Sequence, residues 1–261
     1  MEPLRVLILG GSTEASALSR LVAGDSRFRA TLSLAGRTKS PATPPVPFRV
    51  GGFGGVAGLE KVVIESGCDA LIDATHPFAA QMSAQAAEAA RRTGIAFLAV
   101  RRPPWQAGPG DRWTEVPDMA AAARALGETL RRVFLTVGRK DLAPFKSEPH
   151  FFLIRSIDRS PPEALPPEAE VLTARGPFVL EDEHALLLHH AIEIIVTKNS
   201  GGTATRAKLD AARELRLPVV MVARPELPEA PSVPDAEAAF RWLADLTDGG
   251  HETVSPARRG V

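Results

Sequence analysis

The sequence predicts an α/β chain of two Rossmann-like, doubly wound parallel-sheet domains with a cleft between them. Three observations predict it. Short apolar runs alternate with Ala-rich helical patterns along nearly the whole chain. The alternation restarts midway, and the second half repeats the logic of the first. Glycine and polar residues gather just after the apolar runs, where ligands of open parallel sheets bind. Strand–helix alternation of this kind implies right-handed crossovers and a sheet covered on both faces. One large sheet is the alternative.

The elements follow in order. "RVLILG" reads as a buried strand and "STEASALSRLVAG" as a helix opening on Ser12. "RATLSLAG" is the next strand, "PATPPVP" a loop, and "PFRVGGFGG" a short strand running into a turn. "VAGLEKVVIESG" is a helix with Gly67 past its end. "DALIDATHP" is a strand stopped by Pro77, "FAAQMSAQAAEAARRTG" a helix capped by Gly94, and "IAFLAVRRP" a further strand. After "DRWTEVPDMAAAARALGETLRR" come the strands "VFLTVGRKDL", "FFLIRSI" and "AEVLTARGP", with the Pro-rich "SPPEALPPE" between the last two. "LEDEHALLLHHA" is a helix, "EIIVTKNSGG" a strand, "TATRAKLDAARELR" a helix from Thr203, "LPVVMVARP" a strand and "DAEAAFRWLADL" a last helix. The expected domains are residues 1–130, binding the cofactor, and 131–250, on the substrate side, with 251–261 a frayed tail.

Composition excludes several classes. Lys+Arg and Asp+Glu balance at 31 each, so no global basic field argues for nucleic acid. The single cysteine, Cys68, excludes an intramolecular disulfide framework and a CxxC motif. There is no tyrosine, which removes the Tyr–Lys pair of short-chain dehydrogenases. No segment approaches the ~20 apolar residues needed to span a membrane, and the N-terminus lacks the basic region of a signal peptide. The expected location is the cytoplasm. His184, His189 and His190 share one predicted helix without metal-ligand spacing, so no metal is expected.

Four strand ends of the first half carry candidate cofactor residues. In "GGSTEA", Gly11, Ser12 and Thr13 open a helix toward an anion, although Ser12 serves equally as a plain N-cap. In "AGRT", Gly36, Arg37 and Thr38 lie at a plausible distance beyond that turn for the position where a carboxylate would select the ribose 2′-hydroxyl and an arginine the 2′-phosphate. The base points to NADPH rather than NADH; a solvated loop arginine is the alternative. In "VGGFGG", Gly52 lets backbone approach a ligand. In "DATHPFA", Thr75 and His76 sit at a strand end, with Pro77 and Phe78 beginning the next helix and walling the nicotinamide side. His76 is the candidate for a catalytic role; Asp141, Glu14 and bulk water are the other proton sources.

"LILGGSTEA", "AGRT", "DATHPFA", "VGRKDL", "IRSID" and "TKNSGG", in this order, resemble the precorrin-6A reductases of cobalamin biosynthesis. The resemblance implies two Rossmann-like domains, NADPH bound mainly by the first, and reduction of one carbon–carbon double bond of precorrin-6A to give precorrin-6B. It implies a tetrapyrrole substrate, no nucleic-acid or membrane partner, a monomer or weak oligomer, and transient contact with neighbouring pathway enzymes. A polycarboxylate macrocycle needs cations and backbone donors. Arg139 and Lys140, then Lys198, Asn199, Ser200 and Gly201, stand at strand ends of the second half and are the expected substrate contacts. Arg155 and Arg175 are further candidates. The rivals are a reductase of another polyanionic small molecule and a nucleotide-sensing protein without chemistry.

Overall fold

The structure, a computed structural model, describes residues 2–36 and 43–249. In chain order it has β1 (Leu4–Leu9), α1 (Thr13–Ala23), β2 (Phe28–Leu34), β3 (Phe48–Val50), α2 (Val56–Glu65), β4 (Ala70–Asp73), α3 (Ala80–Thr93) and β5 (Ala96–Val100). There follow β6 (Trp113–Val116), α4 (Met119–Arg124), β7 (Arg132–Thr136), β8 (Phe151–Ser156), β9 (Ala169–Thr173), α5 (Leu180–His189), β10 (Ile194–Lys198), α6 (Ala207–Glu214) and β11 (Val219–Val222). The chain ends on β12 (Ser232–Val233) and α7 (Ala236–Thr247). No helix among the described residues is long and apolar enough to cross a membrane.

Two six-stranded sheets result, ordered β12-β5-β4-β1-β2-β3 and β6-β11-β10-β7-β8-β9. Strand pairs in both are parallel. Strand order reverses at β1/β4 in the first sheet and at β7/β10 in the second, and each reversal opens a crevice at the carboxyl ends of those strands.

In the first unit, β1 shows why the sheet is buried on both faces. Val6 and Ile8 face a cluster with Leu18 and Val22 of α1 and Leu243 of α7. Leu7 and Leu9 face the opposite cluster, with Leu59 of α2 and Ala86 and Ala90 of α3. Alternate residues of one strand thus feed two helical layers. In the second unit, Phe134, Leu153, Ile195 and Met221 pack under Leu187 of α5 and Leu209 of α6.

The boundary between the units differs from the expected one at residue 130. The chain divides after Arg101, and the segment from Leu227 onward returns to the first unit. The causes are pairings across long sequence separations. Trp113 pairs with Val219, placing β6 in the second sheet. Ser232 pairs with Ala99, placing β12 in the first. Phe240 of α7 then meets Phe28 edge-on, with ring centroids 5.6 Å apart. The expected tail, 251–261, lies outside the described residues.

Candidate functional site

In the first unit, the site is built on the β1/β4 reversal. Gly11 adopts φ +114°, and a Cβ there would meet nothing within 4 Å. Only glycine takes this conformation without strain, and the space above it is open. Ser12 caps α1 through a hydrogen bond from the Ala15 N–H to its Oγ (3.0 Å). The same hydroxyl donates to the Ala74 carbonyl (2.6 Å), tying the glycine turn to the end of β4. The N-cap expected of Ser12 is present, and the Ala74 contact is added to it. Thr13 donates its hydroxyl to the Glu14 carboxylate (3.0 Å).

At the end of β4, the buried Asp73 carboxylate accepts from the Thr75 N–H (3.1 Å) and the Thr75 hydroxyl (2.7 Å). This fixes the turn that carries His76. The Phe78 N–H donates to His76 Nδ1 (3.2 Å), so in the neutral ring the proton sits on Nε2. Pro77 is buried and α3 begins at Ala80, not at Pro77, because the Ala79 N–H closes a turn onto the His76 carbonyl (2.7 Å).

Gly36 ends the described part of the β2 turn; Arg37 and Thr38 lie outside the described residues. The sequence reading passed over Arg49 of β3. Its guanidinium donates to Ser33 Oγ (2.9 Å), the Gly51 carbonyl (3.1 Å) and the Gly52 carbonyl (3.1 Å), and lies 4.2 Å from the Phe53 ring centroid. The N–H groups of Gly52, Phe53, Gly54 and Gly55 have no acceptor among the described residues. An arginine that gathers carbonyls on one side of a loop leaves its N–H groups for a ligand. Open glycine backbone, an organised helix start and uncommitted N–H donors form a donor set that fits a dinucleotide phosphate.

In the second unit, the site lies at the β7/β10 reversal. Arg139 and Lys140 are exposed in a short 3₁₀ turn that also carries Asp141. Asp141 Oδ2 accepts from Lys198 Nζ (2.6 Å), which joins the two strand ends. Asn199 is committed otherwise than expected. It is 7% exposed, and its amide pairs twice with the Trp105 backbone, Trp105 N–H to Oδ1 (2.8 Å) and Nδ2 to Trp105 C=O (2.9 Å). Gly201 (φ +68°) sits so close to the chain that a Cβ there would lie 2.2 Å from the Pro103 carbonyl oxygen. The helix expected from Thr203 starts at Ala207, so Ser200 and Gly201 belong to a loop, not to a helix N-terminus.

Arg155 is not at the site. It is 7% exposed and makes a bidentate ion pair with Glu183, itself 2% exposed, with its guanidinium 3.7 Å from the Phe178 ring centroid. Beside this pair, Lys208 is buried 4.9 Å from the Trp105 ring centroid and donates to the Thr205 carbonyl (2.7 Å). Burial, then the Arg155 charge, pull its pKa down to about 7. Burial also pushes the Cys68 thiol up to about 11, which makes it an inert core residue.

The family model described as precorrin-6x reductase CbiJ/CobK matches residues 5–244. A precorrin-6A reductase of a Sinorhizobium species is 48% identical over 94% of this chain and 95% of its own. A solved structure of CobK precorrin-6A reductase superposes with TM-score 0.89 and 45% identity, covering 97% of this chain and 100% of that one. A cobalt-precorrin-6A reductase of Priestia megaterium is more distant, at 31% identity over 65% of this chain and 70% of its own.

Proposed function

The chain belongs to the precorrin-6x reductase family, and on that premise we propose that it reduces one carbon–carbon double bond of precorrin-6A, with NADPH as reductant, to give precorrin-6B. When bound, NADPH supplies a hydride from nicotinamide C4. The observation that carries the reading is the Ser12 hydroxyl bond to the Ala74 carbonyl. It sets the open glycine turn of β1 beside the Thr75–His76 turn of β4, at the reversal where a dinucleotide binds.

The residues divide the work. The backbone at Gly11, Ser12 and Thr13 takes the phosphates, and the Gly52 loop approaches the same ligand. Arg37 and Thr38 take the 2′-phosphate, with Gly36 turning the chain toward it. Asp73 holds Thr75, and the Phe78 N–H fixes the tautomer of His76, so that Nε2 is its proton-donating atom. The proton that completes the reduction comes from His76 or from solvent. Asp141 accepts from Lys198 and positions that ammonium. Arg139, Lys140 and Lys198 supply cations for substrate carboxylates, with backbone N–H groups around Ser200 and Gly201 beside them. Asn199 supports this loop from below through Trp105. The metal-free macrocycle is the substrate we favour, because identity to the precorrin-6A reductase is 48% against 31% for the cobalt-precorrin relative. The enzyme acts in the cytoplasm on a small-molecule tetrapyrrole.

A fluorescence titration with NADPH and NADH tests the cofactor half. The expected outcome is strong NADPH preference, with Arg37→Ala weakening NADPH by about tenfold or more, the scale of a charge-assisted phosphate contact, and NADH hardly at all. Equal losses for both would remove the 2′-phosphate role from Arg37.

A further inference from the structure

Arg224 stands just past β11, at the carboxyl edge of the second sheet. Its guanidinium donates to four main-chain carbonyls: Nε to Asn199 (2.9 Å), Nη1 to Arg102 (2.8 Å), and Nη2 to Ser200 (3.1 Å) and Pro103 (3.2 Å). Arg102 Nε donates to the Ser200 carbonyl as well (2.6 Å). Two consecutive loop carbonyls, Asn199 and Ser200, are therefore drawn to one cation. The N–H groups that follow, at Gly201, Gly202 and Thr203, have no acceptor among the described residues. Successive free N–H groups with positive charge behind them make an anion-binding concavity. The clamp also explains why position 201 is glycine, since a Cβ there would lie 2.5 Å from Arg224 Nη2.

We propose that Arg224 is a positioning residue for the reaction: it holds the Lys198–Gly202 loop so that its N–H groups and the Lys198 ammonium take a substrate carboxylate. This rests on the reading of that loop as a substrate contact. A lysine at 224 keeps the charge but not the planar fork that reaches carbonyls on two separate segments.

The test is steady-state kinetics of Arg224→Lys and Arg224→Gln with NADPH and precorrin-6A, beside Lys198→Ala, with thermal melting and NADPH titration of each. Expected for the Arg224 variants is a rise of about tenfold in KM for precorrin-6A, the scale of one lost charge-assisted contact, with kcat within about twofold and NADPH affinity unchanged. A normal KM in folded Arg224 variants, with a raised KM in Lys198→Ala, would overturn the positioning role and leave the loop reading standing. A normal KM in all three would overturn the loop reading, and the proposal with it. A fall in kcat and melting temperature at normal KM marks Arg224 as a fold residue only, as does failure of Arg224→Lys to fold.

Discussion

A Cβ added at Gly11 would meet open space, whereas one added at Gly201 would lie 2.2 Å from the Pro103 carbonyl oxygen. Both glycines have positive φ and both follow a central strand. The first unit keeps its turn open and ties it from below to the end of β4 through Ser12. The second packs its loop onto a neighbouring segment of its own chain, through Asn199, Trp105 and Arg224. The difference teaches that a glycine after a strand serves either a ligand or the fold, and that the atoms around the absent Cβ say which.

The largest expected effect is in the second unit, at a buried ion pair that has no counterpart among the described residues of the first. Glu183→Ala leaves Arg155 as a buried unpaired charge and should cost about 3–5 kcal/mol, read as a shift in urea midpoint. A loss under about 1 kcal/mol would mean that water reaches the pair. Next comes the glycine contrast itself. Gly201→Ala combines backbone strain with overpacking and should cost about 2–4 kcal/mol of stability. Gly11→Ala carries only the strain, about 1–2 kcal/mol, yet should weaken NADPH by more than its stability loss explains. Similar stability losses at both sites, with NADPH binding intact in Gly11→Ala, would break the comparison.

Taken per pH unit, the last effect is a slope. Lys208 titrates near 7 in the folded chain, against an ordinary value of 10.5. Below about pH 7 both states hold the proton. Between 7 and 10.5 the unfolded chain holds it and the folded chain does not, so stability rises with pH, by at most about 1.4 kcal/mol per unit from this group. Lys208→Met should remove that slope and be relatively more stable at pH 7. Parallel urea curves at pH 7, 8 and 9 for both chains check it; an unchanged slope in the variant would refute it.

The central strands were legible because a strand buried on both faces is a continuous apolar run, as in "RVLILG" and "EIIVTKNSGG". β6 was not, since only Val116 of its four residues is buried. β12 is two residues long and carries no pattern. The unit boundary was hidden because neighbours in sequence are not neighbours in the sheet. Among site residues, the turns at Gly11 and at Thr75–His76 lie where strand-end reasoning places them. Asn199 and Arg155 show where that reasoning fails. Their partners, Trp105 and Glu183, stand 94 and 28 residues away and leave no local trace. Arg224 had the same signature as Arg37, a base just after a strand, and the same rule applied evenly would have singled it out. Arg49 lies inside a strand, where no rule looks.

The return of β12 and α7 to the first sheet has a consequence for synthesis. The second unit is in effect an insertion within the first. On the ribosome, β1 to β5 emerge early, but α7, which covers one face of their sheet, follows only after the entire insertion. At typical translation rates that is a wait on the order of ten seconds. Meanwhile Val6, Ile8 and Leu32 lack the Leu243 side of their cluster. The nascent first unit therefore waits with one face of its sheet incomplete, while the inserted unit has all its strands in hand before the chain is finished.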